Sequence, residues 1–245
     1  MITLGGNTMK KIALLIGHPG SPEEYIPGVK KDIESYKKFL ISSYGGEWFE
    51  SEIVVIYEKD VDYVRDVINK IRKLNFEFVF TIFSGHGNFS TVREERRLYL
   101  GDKYIYESEL RGLAKKQLVI LDSCAGIEKE VSIKKAVMES FVEDKVKKDY
   151  RGIYEKYIKL CPDQEIVLYS SSKGEFSEDI GIGGLYTVSL LETVYENTDY
   201  EIFNALIAHE LASEKVIKTS KGKQHPDYLA TRKSGRKLPI SLKVM

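Results

Sequence analysis

The stretch FVFTIFSGHG, residues 78–87, and its counterpart LVILDSCAG, residues 118–126, decide how the chain folds. Each opens on a short apolar run rich in aromatic or β-branched residues. Such runs read as strands buried on both faces. Each ends abruptly in small and polar residues, Ser84-Gly85-His86-Gly87 in one and Asp122-Ser123-Cys124-Ala125-Gly126 in the other. Similar runs lie to either side: Lys11–Gly17 (KIALLIG), Glu52–Tyr57 (EIVVIY) and Glu165–Ser170 (EIVLYS), with Leu238–Leu242 as a short last strand. Between them Val29, Ile33, Tyr36 and Leu40 recur at helical spacing, as do Val61, Val64, Ile68, Ile71 and Leu74. Leu185–Tyr195 and Tyr200–Glu214 also read as helices.

Strands separated by helices of this length imply βαβ units. The expected fold is α/β, a mainly parallel six-stranded sheet in flavodoxin-like order with helices on both faces. Arg96–Tyr106 (RRLYLGDKYIY) reads as a small β-hairpin about Gly101-Asp102, leading to a short helix near Glu107–Leu113. The charged segment 127–164 is expected to be an insertion, helical in part, between the fourth and fifth strands. Without repeats or a low-complexity linker, residues 1–245 are expected to form one domain.

Composition narrows the function. Lys+Arg and Asp+Glu both number 37, for zero net charge, which argues against a general nucleic-acid binder. Hydrophobic residues make up 42% and charged residues 30%, values of an ordinary globular protein. No apolar run approaches 18 residues, so no membrane partner is expected. Met1–Ile16 shows no basic-then-apolar leader, and Met9 offers a second start. Two cysteines make no disulfide framework, so a reducing, cytoplasmic setting is expected.

Parallel sheets place their sites at the carboxyl ends of strands. If strands three and four are neighbours, His86 and Cys124 face one substrate there. A thiolate is a nucleophile, and an imidazole takes its proton or protonates a leaving amine. The backbone amides of Gly87 and Cys124 are candidates for an oxyanion hole. Other signals carry less. Gly17-His18-Pro19-Gly20-Ser21 lacks the Gly-Lys-Ser/Thr ending of a phosphate loop. The four histidines have no metal-ligand spacing, and no metal or cofactor is expected. His18 follows the first strand and is assigned no role. Cys161 and His209 are read as structural, and the basic run Arg232–Lys237 as solvated.

The Ser-Gly-His-Gly and Asp-Ser-Cys-Ala-Gly motifs resemble the catalytic motifs of the caspase–metacaspase cysteine peptidases. Ile16–Gly20 with Pro27–Asp32 is similar to the first strand, loop and helix start of metacaspases. Gly183–Thr187 resembles the opening of their helix after the fifth strand. The resemblance implies a caspase-like fold over roughly Lys11–Leu242, with His86 as general base and acid and Cys124 as nucleophile. Metacaspases select Arg or Lys with acidic residues, and Asp32, Ser84 and Asp122 fall at matching positions. Cleavage of a protein substrate after Arg, with Lys second, is therefore expected.

The same resemblance puts the segment 127–164 where the family carries its linker, so Lys147, Lys148 and Arg151 are candidate self-cleavage sites. Control by a zymogen step, an upstream activating protease or a partner, in a defence or death pathway, is the corresponding expectation. Many metacaspases need calcium. The loop after His86 is as basic as it is acidic, so none is expected here. Two rival readings stand beside this one: a catalytically silent scaffold of the same fold, and a flavodoxin-like nucleotide or cofactor binder.

Overall fold

The computed structural model describes residues 9–124 and 148–244. In chain order it comprises β1 (Lys11–His18), α1 (Gly28–Ile41), β2 (Ile53–Tyr57), α2 (Val61–Lys73), β3 (Phe78–Gly85), β4 (Gly87–Ser90), β5 (Glu95–Leu100), β6 (Lys103–Tyr106) and β7 (Lys116–Ser123). Beyond residue 147 come α3 (Tyr150–Leu160), β8 (Gln164–Tyr169), α4 (Leu185–Tyr195), β9 (Ile202–Asn204), α5 (Ala205–Thr219), β10 (Asp227–Ala230) and β11 (Pro239–Leu242).

The central sheet has six strands in the order β10-β8-β7-β3-β1-β2, parallel except for β10. Successive residues of a strand face opposite sides, and the core divides accordingly. Ile12, Leu14, Ile16, Val79 and Val119 meet α2 and the apolar side of the β5–β6 hairpin. Ala13, Leu15, Phe78, Phe80, Leu118 and Ile166 meet α1, α3, α4 and α5. This is why the strand sequences lack polar alternation: both faces are covered. Side-chain caps start α2, α3 and α5: Asp60 accepts from the Tyr63 amide at 2.8 Å, Asp149 from that of Gly152 at 2.8 Å, and Asn204 from those of Leu206 and Ile207. No helix among the described residues is long and apolar enough to cross a membrane.

The sixth strand is not the one the sequence suggested. Leu238–Leu242 does supply β11, but it pairs with β9 in a separate two-stranded sheet. The sixth position goes to β10, an exposed four-residue edge strand. With one face in solvent and so few residues, it leaves little hydrophobic signature. The hairpin of Arg96–Tyr106 is present as β5 and β6, extended by β4 into three strands.

Of the segment 127–164, residues 127–147 lie outside the described residues. Its remainder forms α3, with Tyr150, Tyr154 and Ile158 buried in the main core. This part is a crossover helix between β7 and β8, and of its charged residues Glu155 is buried. Lys11, with its side chain fully buried, binds Glu155 of α3 at 2.6 Å, and Arg151 binds Glu52 and the same Glu155 at 2.6 and 2.9 Å.

Candidate active site

Strands β3 and β7 are adjacent and parallel, with Ser84 opposite Asp122 and Gly85 opposite Ser123. The next residues along the two strands are His86 and Cys124, so the register brings them to the same level at the sheet's carboxyl edge. Gly85 makes this exit possible. Its φ of +152° is a conformation side chains disfavour, and a Cβ there would lie 2.4 Å from the His18 carbonyl oxygen. Gly87 packs directly on the nucleophile's backbone, since a Cβ on it would lie 2.8 Å from the Cys124 oxygen. The two amides expected to form an oxyanion hole therefore belong to touching segments.

The imidazole is oriented by the turn Pro22–Glu24: Nε2 of His86 lies 2.5 Å from the Glu24 carbonyl oxygen. A carbonyl can only accept, so Nε2 carries a proton and donates it to this contact. The thiol is gripped by Ser177, whose amide donates to Sγ at 3.4 Å while Sγ–H faces its carbonyl oxygen at 3.6 Å. No hydrogen bond joins the imidazole to the thiol among the described residues. Burial pushes the Cys124 thiol pKa up, and the charge of Asp122 adds to this. The Ser177 amide and the Arg96 guanidinium oppose it.

Beside the thiol lies a pair of buried carboxylates, Asp32 (2% exposed) and Asp122 (5% exposed). Asp32 accepts from Ser84 Oγ at 2.6 Å and from the Gly184 amide at 2.9 Å. Asp122 accepts from Ser177 Oγ at 2.8 Å, and from Thr187 Oγ1 and N at 2.6 and 3.1 Å. Burial, and for Asp32 also the charge of Asp122, raises both pKa values. Neither is in an ion pair among the described residues. All three sequence-proposed residues, Asp32, Ser84 and Asp122, thus meet in one polar cluster next to Cys124.

The family model of the caspase domain matches residues 10–234. The chain belongs to the caspase-domain family. Among solved structures, caspase-1 from Spodoptera frugiperda superposes with a TM-score of 0.60 at 14% identity, over 90% of this chain and 88% of that one. A protein from Geobacter sulfurreducens superposes with a TM-score of 0.56 at 16% identity, over 90% of this chain and 93% of that one. These likenesses are of fold. No curated protein matches the chain. The family is one of cysteine peptidases, hydrolases that act on proteins.

In this caspase-domain chain, several site residues carry no sequence signal. Glu24 acts through its backbone, which no side-chain pattern reveals. Ser177 and Asp179 lie in the loop between β8 and α4. Asp179 holds the Gly28 amide at the start of α1 at 3.0 Å, and its charge reaches Asp32. Gln224, fully buried, pins the same loop by accepting from the Glu178 amide at 2.9 Å and donating to Ser170 O at 2.8 Å. Gly183 and Gly184 press onto the acidic pair, and Cβ atoms on them would lie 2.5 Å from Asp32 Oδ1 and 2.3 Å from Asp122 Oδ2. His18 lies at the site's floor, where Nδ1 accepts from the Gly20 and Gly101 amides at 3.3 and 3.4 Å. No group of three or more potential metal ligands converges among the described residues.

Proposed function

We propose that this chain is a cysteine endopeptidase cleaving protein substrates after Arg, with Lys second, through His86 and Cys124. One observation carries the specificity: two buried carboxylates, unpaired with any cation among the described residues, lie in the cluster beside the nucleophile. Such a pair is costly unless it binds a cation. A substrate guanidinium supplies one through charge-assisted bonds, and its fork suits two carboxylates better than an ammonium does.

Each step has a named group. His86 Nδ1 takes the thiol proton, and Sγ attacks the scissile carbonyl carbon. The amides of Gly87 and Cys124 receive the oxyanion. His86 then protonates the leaving amine, giving a thioester, which water hydrolyses after losing a proton to the same ring. The raised thiol pKa makes this base necessary.

The resting arrangement supports control by activation. Ser177 of the loop between β8 and α4 bonds both the thiol and Asp122, two groups that a substrate would have to engage. An upstream protease, a partner or self-cleavage would shift that loop. Among the self-cleavage candidates, Lys147 lies outside the described residues and Lys148 precedes α3. Arg151 lies inside that helix with its guanidinium paired. Cleavage needs an extended segment, so Lys148 is the better substrate of the latter two. The same grip on the thiol favours the second reading, a silent scaffold.

The test is hydrolysis of fluorogenic peptides ending in Arg, Lys, Asp or Leu, before and after limited proteolysis, with Cys124→Ala as control. Cleavage after Arg that vanishes in the control is expected. Cleavage after Asp would retain the dyad and refute the acidic pocket. Silence throughout, with no labelling of Cys124 by a substrate-like thiol reagent, would establish the scaffold.

A further inference from the structure

Arg96 is a buried cation with no place in the steps above. It projects from β5, is 4% exposed, and packs its guanidinium 4.5 Å over the Tyr169 ring. Nη1 donates to the Ser123 carbonyl oxygen at 3.4 Å, and Nη2 donates to that of Ser171. Those oxygens belong to the residue before Cys124 and to the start of the loop that carries Ser177. Glu107 is its one ion-pair partner among the described residues, at a distant 4.0 Å, and is itself shared with Arg111 and the Tyr169 hydroxyl. Burying a guanidinium is expensive, and so loose a pair offsets little of that cost. Its bonds to two strand-end carbonyls say where the charge is used.

We propose that Arg96 is a positioning residue for the reaction: it holds the Ser123–Cys124 peptide in place and supplies the positive field in which the Cys124 thiolate forms. The need is set by the surroundings. From its own strand the thiol meets the charge of Asp122, an anion that disfavours ionisation, and from the loop the Ser177 amide; His86 stands just past the end of the neighbouring β3. From β5, Arg96 supplies the fixed positive charge of this set, acting on Cys124 in the favourable sense. Arg96 in turn faces Glu107, Tyr169 of β8 and Asp227 of β10. Its fork reaches both carbonyls at once, which a lysine ammonium on a flexible stem does not reproduce.

This rests on Cys124 being the nucleophile, so the test reads the thiol directly. The rate of Cys124 alkylation by iodoacetamide is followed against pH by intact mass and peptide mapping. Buried Cys161, its thiol pushed up to about 11, serves as the internal control for folding. Arg96→Gln is expected to move the alkylation midpoint up by about one pH unit, roughly tenfold slower labelling at pH 7. Arg96→Lys, keeping the charge but not the fork, is expected to fall between. Should Arg96→Gln expose Cys161 and so prove unfolded, Glu107→Gln decides, since removing that anion is expected to lower the midpoint. An unmoved midpoint in folded Arg96→Gln, or in Glu107→Gln if the former unfolds, overturns the proposal. The two readings fail separately. A shifted midpoint in a chain that cleaves no peptide refutes the peptidase alone, and an unshifted one in an active enzyme refutes the role of Arg96 alone.

Discussion

Asp32 and Asp122 set the residue scale, because their cost to the fold and their proposed use in the site have one cause. Burial raises both pKa values, so the folded chain binds these protons more tightly than the unfolded chain does. Their favourable contribution is therefore present below the unfolded value near 3.8 and is lost as pH rises through the folded one. Burial makes the ionised state of either carboxyl the costly one. Asp32→Asn keeps a group able to bond Ser84 and Gly184 and cannot ionise. It is expected to raise Tm at pH 7, each kcal/mol gained moving it by roughly 2–4 °C. The gain should shrink on acidification, and cleavage after Arg should be lost. A Tm lowered at pH 7 by scanning calorimetry would refute this. Asp122 was legible in the sequence through its place beside the Cys124 motif, and Asp32 only through the family resemblance. Ser177 was not, because nothing in a loop's composition shows that it crosses a site more than fifty residues away.

At the scale of elements, α3 shows how a charged segment becomes part of a core. The sequence 148–160 reads as polar, with Lys148, Asp149, Arg151, Glu155, Lys156 and Lys159. Its inward stripe of Tyr150, Tyr154 and Ile158 is buried nonetheless, and Arg151 and Glu155 pair with each other and with Glu52 and Lys11. Glu155 holds the Lys11 ammonium and the Met9 amide, at 2.6 and 3.2 Å, tying α3 to the first strand. Burial depresses the Lys11 pKa despite its anionic partners. Removing Glu155 would leave that ammonium buried beside only the more distant Glu52, 3.5 Å away. Glu155→Ala is expected to cost about 3–5 kcal/mol in urea denaturation. The paired Lys11→Met, Glu155→Leu variant should recover most of it; equal losses in both would refute the account.

Across the whole molecule, the helices on one face of the sheet and the β10 edge meet at His209. It is 2% exposed, shares a hydrogen bond of 2.6 Å between Nδ1 and the Tyr186 hydroxyl, and has its pKa lowered by burial to about 4. The unfolded imidazole takes a proton near 6.5. The neutral folded form therefore contributes stability that is complete above pH 6.5 and is lost as pH falls toward 4, about 3 kcal/mol in all. This runs against the aspartate pair, which gains on acidification. Comparing wild type with His209→Asn isolates the imidazole: the variant's stability is expected to fall less between pH 6.5 and 4.5. Parallel slopes in urea titrations would refute it.

By itself, the sequence determined the alternation of buried strands and amphipathic helices, the strand ends that carry His86 and Cys124, and the Asp122 that ends one of those strands. These are local patterns, written in short apolar runs and in the residues that end them. Tertiary structure alone decided that β10 completes the sheet, that Glu24 orients the imidazole, that Ser177 grips the thiol and that Arg96 lies beneath it. The reason is physical. An edge strand, a carbonyl, a loop amide and a buried cation gain their roles from contacts between distant segments, and such contacts leave no periodicity along the chain.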